Sequence, residues 1–155
     1  MSPDETTATA AMTAAGLEHL LTRHGPVDSL EAAAAARGVP PGALVKTIVV
    51  RRGAEDYLFV LVPGDRTISW PKLRALLGVN RLSLPDAATA KEVTGYERGT
   101  ITPFGATHAW PVVADSHVRG TVSIGAGAHG VAATVDAVAL VHTLAAQVAD
   151  VTDPL

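Results

Sequence analysis

The sequence predicts an α+β domain with a mixed, curled β-sheet and interleaved helices. Three observations lead there: short β-branched runs recur along the chain, capped helical segments are interleaved with them, and two runs lie close enough to form a hairpin. A doubly wound fold would instead alternate strand and helix strictly. The 155 residues suffice for one domain with a real core.

Residues 1–12 read as a flexible N-terminal tail, with Asp4 and Glu5 and no Lys or Arg, leaving 13–155 as a single domain. Leu17, Leu20 and Leu21 repeat at helical spacing, so the first helix is expected between Thr13 and Arg23, stopped by His24-Gly25-Pro26. A second helix opens on Ser29 as N-cap and runs to Gly38, and Val39-Pro40-Pro41-Gly42 is a rigid turn. Val45 to Val50 and Tyr57 to Val62 pair as a hairpin closed by Pro63-Gly64-Asp65. Ser69 caps a helix with Pro71 in its first turn and Gly78 at its end. Arg81 to Leu84 reads as a short strand and Pro85 to Thr94 as a helix ending at Gly95. Gly95 to Gly105 shows neither period, and its glycines and proline mark a long ordered loop of the kind that carries function. Trp110 to Ala114, Thr121 to Ile124 and Val131 to Val135 are strands, Asp136 caps a helix over 137–146, and Val148 to Val151 adds a short strand.

Composition excludes several function classes. With 12 Lys plus Arg against 15 Asp plus Glu the net charge is −3, unlike a protein that coats nucleic acid in bulk, though a local patch could grip one end. The absence of cysteine excludes disulfides, thiol nucleophiles and thiolate metal sites. No run of about 18 apolar residues occurs, since Asp136, His142 and Gln147 interrupt the nearest. A cytoplasmic protein without a membrane partner is expected. The six histidines show no zinc-ligand spacing, and neither a metal nor a cofactor is expected.

A nucleophile elbow is missing: Ser123-Ile124-Gly125 lacks both the preceding glycine and a strand-to-helix context. Gly125-Ala126-Gly127-Ala128-His129-Gly130 follows a strand like a phosphate loop but leads into another strand, so a tight bend is the commoner explanation. Lys46 stands inside the apolar run Leu44 to Val50. Its ammonium either snorkels at a strand edge or points into a cleft, where it would anchor a phosphate or carboxylate.

Four ordered segments carry a resemblance: Val45-Lys46-Thr47-Ile48-Val49-Val50; Val62-Pro63-Gly64-Asp65-Arg66; Thr94-Gly95-Tyr96 leading to Gly99-Thr100-Ile101-Thr102-Pro103-Phe104-Gly105; and Gly125 to Gly130. Their order and spacing resemble the YbaK/prolyl-tRNA-synthetase editing-domain family, from about Glu31 to Asp150, and the resemblance implies that family's fold, a strongly bent, barrel-like mixed β-sheet surrounded by helices. The resemblance implies a trans-editing deacylase that hydrolyses the ester at the 3′ acceptor end of a mischarged tRNA, with Cys- or Ala-tRNA(Pro)-like substrates favoured. The implied partners are mischarged tRNA and an aminoacyl-tRNA synthetase, with no DNA. It implies catalytic positions at Lys46, Gly99, Pro103 and Gly105. Substrate contacts are implied at Thr47, Thr100, Ile101, Thr102, Gly125, Gly127 and His129.

That chemistry needs no nucleophilic side chain, because an aminoacyl ester is already activated and preorganised backbone donors can stabilise the oxyanion. The resemblance is incomplete: many free-standing bacterial members have an arginine where this chain has His129, and several carry a serine in place of Gly125 and an aspartate near the position of Ala132. An imidazole anchors phosphate less firmly than an always-charged guanidinium. Two alternatives stay open at this level: a non-catalytic module that binds aminoacyl-tRNA or a synthetase, and a hydrolase of a small aminoacyl ester.

Overall fold

The computed structural model describes residues 3–155. Helix α1 (Pro3–Ala14) leads into strand β1 (Leu20–Arg23), helix α2 (Leu30–Arg37) and a single 3-10 turn, Pro41–Ala43. Strands β2 (Val45–Gly53) and β3 (Asp56–Pro63) form the hairpin, followed by β4 (Arg66–Ile68), α3 (Trp70–Leu77) and α4 (Ala87–Thr94). Strands β5 (Val112–Asp115), β6 (Thr121–Gly125) and β7 (Val131–Asp136) precede α5 (Ala137–Thr143), β8 (Gln147–Ala149) and β9 (Thr152–Pro154).

The sheet order β2-β3-β5-β8 is mixed: β2 runs antiparallel to β3, whereas β5 and β8 continue in parallel. A second sheet, β1-β7-β6, is antiparallel, and β4 pairs with β9. A bridge between Leu44 and Ser123 joins the β2 edge to β6, so the two larger sheets bend around one core. The mixed architecture expected from sequence holds, divided among three sheets.

Strand β3 explains the layering. Its side chains alternate across the sheet, so Tyr57, Phe59 and Leu61 enter one apolar cluster while Leu58, Val60 and Val62 enter the other. Covered on both faces, it reads as a continuous apolar run. The first cluster lies against β6, β7 and α1, through Val122, Ile124, Val135, Ala8 and Met12; the second lies under α3, through Leu73.

The expected caps are present. The Ser29 hydroxyl accepts from the Ala32 amide at 3.0 Å, Ser69 from Lys72 at 3.4 Å and Asp136 from Ala139 at 2.9 Å. Gly38, Gly78 and Gly95 end their helices in the left-handed conformation.

The N-terminal expectations need correction. Within the supposed tail, Pro3 to Met12 belong to α1; Ala8 and Met12, one turn apart, are fully buried, and buried Glu5 pairs with Arg23. Met1 and Ser2 lie outside the described residues. The helix expected over 13–23 is replaced by the end of α1, a turn at Gly16 (φ 75°) and strand β1. Edge pairing of Leu20–Arg23 with β7 overrides the leucine spacing. Arg81 to Leu84 is no strand; only Ser83 bridges, to Arg51. Strands β4 and β9 are too short to show a period in the sequence.

Candidate active site

The hairpin strand β2 has β3 on one side, and its other edge is held only at the ends, by the Leu44–Ser123 and Arg51–Ser83 bridges among the described residues. Between them the edge is open, and a cleft runs along it. One part, about 260 Å³, is lined by Lys46, Thr47, Ile48, Arg37, Arg98, Gly99, Ile101 and Gly125, among others. The adjoining part, about 330 Å³, shares Thr47, Ile48, Arg98, Gly99 and Ile101 and adds the apolar Val49, Leu84, Pro85 and Ala90. No carboxylate or imidazole is among the side chains lining either part.

Lys46 thus lies in a cleft. Among the described residues its Nζ donates only to the Arg66 carbonyl, at 3.4 Å. Burial lowers its pKa, with the Asp65 charge opposing. Thr47 Oγ1 is buried without a hydrogen-bond partner.

The opposite wall is a tight turn, in which the Thr100 amide donates to the Glu97 carbonyl at 2.9 Å and Gly99 takes φ 90°. That is the glycine position of a type II turn, and it leaves the Gly99 N–H outside the turn's own hydrogen bond. The Thr100 hydroxyl also donates to the Glu97 carbonyl, at 2.7 Å. His129 closes over this turn: a Cβ on Gly99 would lie 3.6 Å from its ring, and its Nε2 is 3.4 Å from Glu97 Oε2. The imidazole is 70% exposed, so it stands at the rim. Gly125 ends β6 beneath the wall, where an added Cβ would sit 3.2 Å from the Ile101 carbonyl. Its cross-strand partner is the buried Ala132.

Of the residues singled out in the sequence, Lys46, Thr47, Gly99, Ile101 and Gly125 line the cleft and His129 borders it. The others are not brought there. Thr100 and Thr102 are buried, bonded within their own loop; Thr102 Oγ1 accepts from the Phe104 amide at 3.4 Å. Pro103 faces a separate cavity beside Trp110 and Phe59. Gly105 and Gly127 serve contact with α1, since a Cβ would lie 2.9 Å from the Thr7 carbonyl at Gly105 and 2.6 Å from the Asp4 carbonyl at Gly127. Sequence reasoning missed Arg37, Arg98, Leu84 and Pro85. Arg98, inside the aperiodic loop, was the one with a signal; its Nη2 donates to the Pro85 carbonyl at 3.2 Å and joins the two walls.

Two features lie outside the cleft. Arg51, Arg52, Arg74 and Arg81 line a groove where β2 meets Asn80 to Ser83, with no acidic residue in its lining. Asp115, His117 and Asp150 bring potential ligand atoms within 4.8 Å of one another. The Asp115 carboxylate is already engaged there, accepting from the His117 and Val151 amides at 3.0 Å each, with His117 Nδ1 at 2.9 Å. Among the described residues, no helix is long and apolar enough to cross a membrane.

Several known proteins resemble this chain in sequence or in fold. The proline–tRNA ligase of Lactobacillus helveticus is 33% identical over 101 residues, which are 65% of this chain and 18% of the ligase. The ligase of Desulfovibrio desulfuricans is 36% identical over 101 residues, 65% of this chain and 17% of the ligase. This chain thus corresponds to a small part of each ligase. A crystal structure of a candidate trans-editing enzyme for prolyl-tRNA synthetase shares the fold, with TM-score 0.89 over 99% of both chains at 23% identity. The crystal structure of a hypothetical protein gives TM-score 0.85 at 28% identity, over 95% of this chain and 99% of that one. The family profile described as the aminoacyl-tRNA editing domain matches residues 24–142, a span that holds the residues of both parts of the cleft. By that match, this chain belongs to the aminoacyl-tRNA editing domain family.

Proposed function

We propose that this chain is a trans-acting deacylase, hydrolysing the ester between a wrongly attached amino acid and the 3′ end of a tRNA. The observation that carries the reading is the cleft along the open β2 edge, with the Lys46 ammonium on one side and the Gly99 turn on the other. Lys46 holds the nucleotide through its phosphate. The ester carbonyl lies toward the Gly99 N–H, which stabilises the oxyanion as water adds. Collapse breaks the bond to the ribose oxygen, which takes up the proton that water gives up. With no general base among the lining side chains, water is oriented by the ribose hydroxyl and by backbone groups.

The apolar part of the cleft, with Leu84, Pro85, Val49 and Ala90, suits a small acyl side chain. Cys- and Ala-tRNA(Pro)-like substrates are therefore favoured. The four-arginine groove supports an RNA substrate over a small neutral ester, despite the net charge of −3. A cytoplasmic setting beside a synthetase follows from the same reading.

The test is hydrolysis of a panel of mischarged tRNAs, Ala- and Cys-tRNA(Pro) included, by the wild type and Lys46→Ala. Release of an amino acid, reduced on the order of 100-fold in the variant, is expected. If tRNA binds and no member of the panel is cleaved, the protein is a binding module.

A further inference from the structure

Arg37, at the end of α2, lines the same part of the cleft as Lys46, yet neither the Lys46 anchor nor the Gly99 turn requires it. Its Nε is buried with no hydrogen-bond partner, and it forms no ion pair among the described residues. A cation at a helix C-terminus is ordinarily explained by the dipole, but an exposed side chain would serve that purpose. Two of the terminal carbonyls also already have partners: Gly38 N–H donates toward Ala34 and Ala35, and Val39 N–H donates to Ala34 at 3.0 Å. Burial lowers the pKa of the guanidinium and of Lys46 alike, and Arg98 lines the same part of the cleft, so three cations stand there with no acid in the lining. Such an arrangement costs stability until an anion enters.

We propose that Arg37 and Lys46 together clamp a nucleotide phosphate, with Arg37 as a positioning residue that sets where the terminal nucleoside rests. This rests on the deacylase reading for the identity of the ligand. The acyl group of an aminoacyl ester carries no free carboxylate, so phosphate is the anion such a substrate offers. A guanidinium, with its planar fork of donors, matches that group better than a second ammonium would.

The test is calorimetric binding of AMP and of adenosine to the full chain. The wild type is expected to bind AMP on the order of 10-fold or more tightly than adenosine, and Arg37→Met to lose most of that preference, Lys46 keeping the remainder. Arg37→Lys, which keeps charge without the fork, should retain part of it. The melting temperature of Arg37→Met without ligand should be equal or higher, because a half-buried charge without an ion pair is removed while the stem's packing stays; a purely structural arginine would give the opposite. Equal affinity for AMP and adenosine in the wild type, or a preference unchanged in Arg37→Met, overturns the clamp. An Arg37-dependent AMP preference in a protein that cleaves no mischarged tRNA overturns the deacylase reading and leaves the clamp standing. Cleavage without the preference does the reverse.

Discussion

The Gly127 backbone N–H donates to the Thr100 carbonyl at 3.1 Å, locking two glycine-containing loops into one wall behind the cleft. Helix α1 presses on that wall from outside, with the Asp4 carbonyl against Gly127 and Thr7 against Gly105. The wall behind the Gly99 turn therefore depends for its packing on a helix that lines neither part of the cleft.

Gly127→Ala should test this dependence. Gly127 has φ 88°, and an added Cβ would stand 2.6 Å from the Asp4 carbonyl, so backbone must move. A loss of about 2–4 kcal/mol is expected in chemical denaturation, from left-handed strain and overpacking together.

Met12→Ala separates a docked helix from a loose tail. Met12 is fully buried in the main core, so its truncation should cost about 2–5 kcal/mol. A melting temperature equal to that of the wild type would mean that α1 contributes no packing.

Tyr96→Phe should change both stability and its alkaline dependence. The Tyr96 hydroxyl donates to the Phe104 carbonyl at 2.6 Å, and its loss orphans that acceptor at about 1–3 kcal/mol. Burial, aided by the Asp4 charge, pushes the phenol from 10.0 up to about 12. The unfolded chain therefore gives up this proton first. Its contribution to stability is complete below pH 10 and is lost as the pH rises toward 12. Denaturation of both proteins at pH 8 and 11 should show their difference shrinking.

Arg74→Glu and Arg81→Glu should weaken tRNA binding more than they impair hydrolysis of a short aminoacyl-adenosine, because the groove they line is separate from the Lys46 cleft. Removing the arginine from one phosphate should flatten the slope of log affinity against log salt by about 0.7–0.9. An unchanged slope would place the RNA elsewhere.

Much of this was legible in the sequence, for local reasons. Ser29, Ser69 and Asp136 cap helices with their own side chains, and the β2–β3 hairpin pairs neighbours in sequence. The motifs around Lys46, Gly99 and Gly125 pointed to residues that do meet in one cleft. Gly105 and Gly127 stood in the same motifs, but a sequence shows that a glycine is present without showing which atom crowds it. That atom belongs to α1, whose Ala- and Thr-rich residues have so weak an apolar stripe that they read as a tail.

The caps, the hairpin, the mixed class of fold and the glycine-rich loops could all be read from residues near one another in the chain. That α1 docks, that Leu20–Arg23 pairs as an edge strand, and that Arg37, Leu84 and Arg98 join Lys46 along one open strand edge emerged from the folded chain alone. In each case long-range burial and edge pairing outweigh weak local preference, and periodicity within a segment cannot register a partner far away in the chain.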